Sequence, residues 1–152
     1  MRSRKYHKKD ESGVNKIFTQ YWTDKEFLDE LSGQLNTETC KFFIAEENGE
    51  ILGIAGLRKP PEYLNFHADT KNPVELYIIA SKYQNRGIGN FLGQKIIEGA
   101  KNSGFTEILC YSPETHSSSW KFYKKLGFTK HGIINDPDDG YPGMLWKKSF
   151  DF

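Results

Sequence analysis

Residues Glu75 to Gly93, ELYIIASKYQNRGIGNFLG, pass from a buried strand through a glycine-bearing turn directly into a helix. The strand is Val74 to Ile79, VELYII, a short apolar run rich in β-branched and aromatic residues. The helix is expected over Asn90 to Ser103, with Ile88, Leu92, Ile96 and Ala100 on one face, Gly104 ending it and Phe105 placed for the closing apolar contact. Gly87 and Gly89 let backbone N–H groups of the intervening turn converge on one concavity. The start of the helix adds unpaired donors and a positive dipole end, and Arg86 adds a side-chain charge. A phosphate or pyrophosphate suits that arrangement; a purely structural turn is the other reading of the same residues.

On the N-terminal side, Gly13 to Tyr21 and Asp24 to Leu35 read as two short helices, the second with Phe27, Leu28, Leu31 and Leu35 at helical spacing behind a Thr23 or Asp24 cap. Lys41 to Glu46 and Glu50 to Leu57 read as a hairpin around Asn48-Gly49. Arg58 to Pro73 is a long connection with three prolines, and connections of that length are commonly functional. On the C-terminal side come a buried strand, Glu107 to Tyr111, and a helix, Ser117 to Leu126, with Phe122, Tyr123 and Leu126 inward and Gly127 and Phe128 closing it. Phe128 to Ile134 and Met144 to Phe150 read as two final strands around NDPDDGYPG. The order predicts one α+β domain over residues 1–152 with a mixed sheet.

Gly87-x-Gly89-x-x-x-Gly93 also approaches a dinucleotide fingerprint, and Glu114 lies where a ribose-binding acid would be expected. The rest of the chain argues against it. A doubly wound sheet needs further βαβ units, and only one helix and two antiparallel-looking strands follow the next strand.

Composition narrows the classes further. Aromatic residues make up 14% of 152 residues, enough for a real core. The 21 basic and 20 acidic residues nearly cancel, so there is no electrostatic footprint for nucleic acid or an anionic membrane. The run Arg2, Arg4, Lys5, Lys8 and Lys9 reads as a solvated first strand and its flanks. No apolar h-region follows those charges and no stretch has a membrane-spanning length, so a soluble cytoplasmic protein is expected. Cys40 and Cys110 match no metal or redox spacing; each reads as a small buried hydrophobe, and no metal is expected.

YIIASKYQNRGIGNFLGQKII resembles the acetyl-coenzyme A signature of the GNAT N-acetyltransferase superfamily, Q/R-x-x-G-x-G/A, through Gln84, Gly87 and Gly89. SSSWKFYKKLGF resembles the family's later helix through Tyr123, Gly127 and Phe128. The resemblance implies a mostly antiparallel mixed central sheet flanked by helices, with splayed middle strands. It implies acetyl-coenzyme A as co-substrate, its pyrophosphate on the backbone of Gln84, Asn85, Arg86, Gly87, Ile88, Gly89 and Asn90. It further implies a pantetheine arm along Tyr77, Ile78 and Ile79, with a backbone N–H near Ile78 facing the thioester carbonyl. Many members carry Asn seven residues before the helix tyrosine; here that position is His116, with Ser119 nearby. His116 can donate a hydrogen bond to the coenzyme arm or be a simple helix-start residue.

The chemistry asks for two proton movements. An alkyl amine with pKa near 10.4 must lose a proton before attack, and the leaving thiolate must gain one. Tyr123 sits where the family commonly places the acid; a core tyrosine is the competing reading. Glu75, on the strand leading to the thioester, is the candidate base, with an ordinary strand charge, water or His67 as alternatives. The acceptor is a primary amine that the residues do not name. It is set by the first helices, the loop with Glu62, Tyr63, Phe66 and His67, and the turn with Asp136, Asp138 and Asp139. The last strand can support a homodimer, and a non-catalytic coenzyme A-binding module is the alternative function.

Overall fold

The computed structural model describes residues 1–150. The elements run β1 (Arg2–Lys5), α1 (Glu11–Tyr21), α2 (Lys25–Leu35), β2 (Cys40–Glu47), β3 (Glu50–Arg58), α3 (Glu62–Asn65), β4 (Pro73–Ser81), α4 (Ile88–Asn102), β5 (Glu107–Pro113), α5 (Trp120–Lys125), β6 (Thr129–Asn135) and β7 (Pro142–Ser149). The strands follow the hydrogen-bonded order β1-β2-β3-β4-β5-β7-β6, a mixed sheet of the expected α+β class. The chain divides into two compact units: Met1–Arg58 with Ile78–Ile96, and Lys59–Tyr77 with the chain from Ile97 onward.

In the first unit β1, β2 and β3 are antiparallel, with Ile44 opposite Ile54. The hairpin turn forms at Asn48 and Gly49, both at positive φ. Helices α1 and α2 bury Val14, Ile17, Phe18, Leu31 and Leu35, the stripes that 3.6-residue periodicity marks in the sequence. The Asp24 side chain accepts the Glu26 N–H at 3.0 Å and fixes the start of α2. The N-terminal basic run is only partly solvated. Lys5, Lys8 and Lys9 are exposed, but Arg4 donates to both oxygens of Asp10 at 2.7 and 2.9 Å and to Glu46 at 2.8 Å. Arg2 joins the same Glu46 carboxylate. Two acids distant in sequence, Asp10 and Glu46, therefore give the arginines a structural role that charge patterning alone does not reveal.

In the second unit β4 runs parallel to β5, and β5, β7 and β6 are antiparallel. Among the described residues the β4–β5 register covers Pro73↔Glu107, Val74↔Ile108 and Glu75↔Leu109 and then stops, although β5 continues to Pro113. Leu64, Leu109 and Leu145 form a dry cluster, so the long connection is anchored by its own short helix α3. Its far end is held by Glu107, which is 0% exposed and accepts the Asp69 and Thr70 N–H groups at 2.7 and 2.8 Å and the Thr70 hydroxyl at 2.9 Å.

The helix expected over Ser117 to Leu126 is shorter. Glu114–Ser119 forms a 3-10 segment with non-helical backbone at His116, and the α-helix begins at Trp120. The Ser119 hydroxyl donates to the His116 carbonyl at 2.7 Å, a local bond that competes with regular helix. The expected closing chemistry is present: Phe128 N–H reaches the Tyr123 carbonyl at 3.1 Å while Gly127 takes φ 95°.

Candidate active site

The strand-to-helix turn ends with Asn85 at φ 61° and Gly87 at φ 77°. Two left-handed residues fold the backbone sharply, and Asn is among the few side chains that adopt that region readily. The helix begins earlier than the sequence suggests. Ile88 rather than Asn90 is its first residue, so Gly89 belongs to the first helical turn, and Gly87 alone of the two needs a positive φ. Phe91 N–H closes on the Gly87 carbonyl at 2.9 Å. The N–H groups of Ile88, Gly89 and Asn90, preceding that first helical bond, are the donors a helix start leaves for an external acceptor. Gln84, Asn85, Arg86, Gly87 and Asn90 are exposed, Gly89 is half-buried, and Ile88 anchors the turn in the core.

Side chains around the turn are held from below. Glu50 accepts from Lys82 Nζ at 2.6 Å and from the Tyr83 hydroxyl at 2.8 Å; those two bonds, Lys82 first, pull its carboxyl below the usual range. The Arg86 guanidinium stacks 4.3 Å from the centre of the Tyr83 ring. Glu47, Glu50, Leu52, Tyr83, Arg86 and Ile88 line a depression of about 200 Å³ beside the turn.

In the second unit Tyr123 packs against Phe128 and against Trp146, whose ring centre is 5.8 Å away. Its hydroxyl is hydrogen-bonded to the Cys110 thiol and the Ser112 hydroxyl. Burial first, then Cys110, raises the Tyr123 hydroxyl well above the usual phenol range, while Ser112 opposes the rise. Burial likewise pushes the Cys110 thiol up to about 12, so it stays a neutral thiol. Glu75 is 4% exposed and lies opposite Leu109, the last paired residue of β4. Paired residues of parallel strands share a face and neighbours along a strand alternate. Glu75 is therefore on the face of Leu109 and Tyr111, and Tyr123 is on the opposite face with Cys110 and Ser112. Tyr63 meets the Tyr111 ring edge-on at 6.1 Å on the Glu75 side.

The remaining sequence candidates are dispersed. In β4, Ile78 is buried and Tyr77 and Ile79 are half-buried. His116 is half-buried at the kink. His67 is half-buried against the ring of Phe66, which is 84% exposed. Asp136 serves its own turn: its carboxylate accepts the Asp138 N–H at 2.8 Å. Among the described residues no group of three or more His, Cys, Asp or Glu is placed to hold a metal ion, and no helix is long and apolar enough to cross a membrane.

The family model described as acetyltransferase (GNAT) family matches residues 11–128, from α1 through the turn and α4 to Phe128. The chain belongs to the GNAT acetyltransferase family. A GNAT-family protein of Desulfovibrio desulfuricans superposes with TM-score 0.82 at 16% identity, over 97% of this chain and 98% of that one. The Salmonella typhimurium protein yncA, solved with its cofactor acetyl-coenzyme A, gives 0.77 at 18% identity, over 100% and 95%. At those identities the likeness concerns the GNAT fold. Among curated proteins, the Xenopus tropicalis "Probable N-acetyltransferase camello" is 24% identical over 109 residues, 72% of this chain and 48% of that one. The chain spans between 32% and 51% of the length of the curated relatives it matches.

Three residues beside Tyr123 escaped the sequence reading. Cys110 was legible only as a small core residue, and Ser112 and Trp120 drew no attention. Their spacing held the signal: Ser112 follows Cys110 by two on a strand, and Trp120 precedes Tyr123 by three on a helix, so each pair shares a face.

Proposed function

We propose that this chain acts as one N-acetyltransferase domain that carries acetyl from acetyl-coenzyme A to a primary amine by direct attack. The observation that carries the proposal is the turn through Asn85 and Gly87 into the start of the fifteen-residue helix α4, with exposed residues on its rim. Backbone donors there, backed by the helix dipole and Arg86, suit a pyrophosphate.

In this reading the pantetheine arm lies along Tyr77, Ile78 and Ile79. Support comes from β4, whose pairing with β5 stops at Glu75 and leaves backbone groups of Leu76 and Tyr77 available beyond it. Glu75 takes the proton of the incoming ammonium, directly or through water. The free amine attacks the thioester carbonyl, and a backbone N–H near Ile78 stabilises the oxyanion. Collapse breaks the carbon–sulfur bond, and Tyr123 gives its proton to the leaving thiolate. The raised pKa of Tyr123 suits a group that must still hold its proton at neutral pH. The placement of Glu75 and Tyr123 on opposite faces of the strands fits an acceptor arriving from one side and a thiol leaving on the other.

The test is thiol release from acetyl-coenzyme A with a panel of primary amines: a polyamine, an amino acid, an aminoglycoside, a peptide α-amine and a lysine side chain. Amine-dependent release coupled to N-acetyl product is expected from at least one. Coenzyme A binding without turnover on any amine would leave a binding module and overturn the proposal.

A further inference from the structure

Tyr123 depends on its surroundings to lose a proton in a site that opposes a buried phenolate. Ser112 is 2% exposed on β5, and its oxygen accepts the Trp120 indole N–H at 3.2 Å. The Ser119 hydroxyl spends its hydrogen on the His116 carbonyl at 2.7 Å and lies 3.5 Å from Ser112. An indole N–H only donates, whereas a serine hydroxyl both donates and accepts. With Trp120 occupying the Ser112 oxygen, the Ser112 hydrogen is the one left to give. Its choices are a long contact to Ser119 or the Tyr123 oxygen, to which Ser112 is hydrogen-bonded.

We infer that Ser112, oriented by the Trp120 indole, is a positioning residue that donates a hydrogen bond to Tyr123 and stabilises the phenolate left after Tyr123 has protonated the departing thiolate. The inference rests on the acetyltransferase reading above and adds the residue that makes the acid usable. The proton balance is closed: the Tyr123 O–H bond breaks as the thiol S–H bond forms. The phenolate then recovers a proton from solvent or from the protonated base. Cys110 cannot replace Ser112 in this role, because its bond to Tyr123 holds the phenol in its neutral form. The hydrogen-bond chain Trp120 to Ser112 to Tyr123 thus gives the tyrosine one partner that favours the charged form, in surroundings that otherwise disfavour it.

The experiment is a double-mutant cycle on thiol release, using acetyl-coenzyme A with the best amine of the panel, or its slow hydrolysis where no amine turns over. Ser112→Ala should lower kcat about tenfold, in line with one lost hydrogen bond to a charged group of roughly 1.5 kcal/mol. Coenzyme A affinity by calorimetry and the thermal midpoint should stay near wild type. Ser112→Thr should restore most of the rate, and Trp120→Phe should reproduce part of the loss. In the Tyr123→Phe background Ser112→Ala should cost almost nothing, because the group it serves is gone. An equal loss in both backgrounds would overturn the inference while leaving acetyl transfer and the Tyr123 acid intact. Full activity in Tyr123→Phe would overturn the acid and Ser112 together. A Ser112→Ala enzyme with wild-type kcat would overturn the Ser112 role alone.

Discussion

The Gln84 side-chain amide donates to the Tyr21 hydroxyl at the end of α1. Tyr21 in turn donates to the Ser81 carbonyl at 2.5 Å, and the Gln20 amide reaches the Lys82 carbonyl at 3.4 Å. The last turn of α1 therefore clamps both ends of the segment Ser81 to Gln84. A side chain that a motif reading assigns to the ligand is instead used to hold the loop, which leaves its backbone for the phosphate.

Two variants separate turn shape from turn clamping. Gly87→Val places a β-branched residue at φ 77°, where nothing lies within 4 Å of an added Cβ, so the cost is conformational, about 1–2 kcal/mol. Calorimetric titration should show coenzyme A affinity reduced by tenfold or more. Tyr21→Phe removes the clamp but not the turn, and one hydrogen bond of about 0.5–1.5 kcal/mol corresponds to a loss of roughly two- to tenfold. Unchanged affinity in a folded Gly87→Val protein would remove the turn from the coenzyme site.

Tyr123→Phe keeps the ring contacts with Phe128 and Trp146 and deletes only the hydroxyl. Under the proposed mechanism kcat should fall by about 10² to 10⁴ with coenzyme A affinity little changed. Steady-state kinetics on an identified acceptor checks it. Near-wild-type kcat would make Tyr123 a core residue.

Glu75→Gln keeps the shape of a side chain that is buried beside the end of the β4–β5 ladder. The deficit in kcat/KM should be largest near neutral pH. It should shrink as pH approaches the amine pKa of about 10.4, where free amine is abundant. A pH–rate profile parallel to wild type would assign the base to water or to His67.

The Arg4–Asp10 pair governs acid stability. Its hydrogen bond to Arg4 is the main reason the Asp10 carboxyl titrates below its usual range, helped by the His7 N–H at 2.8 Å. A carboxyl depressed in the folded state stabilises fully above its unfolded pKa, near 3.9, and loses that contribution as pH falls through the folded value. Thermal midpoints should therefore drop steeply below about pH 4. Asp10→Asn should cost about 1.5–3 kcal/mol at pH 7 and show a shallower acid limb. Equal acid slopes in the two proteins would refute the assignment.

Local patterning made much of this fold legible. The stripe Ile88, Leu92, Ile96 and Ala100, the turn at Asn48-Gly49, the Asp24 cap and the closures at Gly104 and Gly127 each depend on residues within one or two turns of chain. The segment Glu114 to Ser119 was misread because its polar side chains bond to nearby backbone, which apolar periodicity does not register. The turn at Gln84 to Gly89 was visible as a phosphate-type turn because glycines before a helix have a short-range meaning.

What the sequence determined by itself was the strand–turn–helix unit, the order of elements and the family, because hydrophobic period and turn chemistry are encoded between near neighbours. Tertiary structure alone decided what those residues touch. It joined Arg4 to Asp10 and Glu46, Gln84 to Tyr21 and Tyr123 to Cys110 and Ser112, and it ended the β4–β5 pairing at Glu75. Those contacts connect residues separated by up to tens of positions. Strand register and helix packing set them, by burying apolar area that no single segment can bury alone.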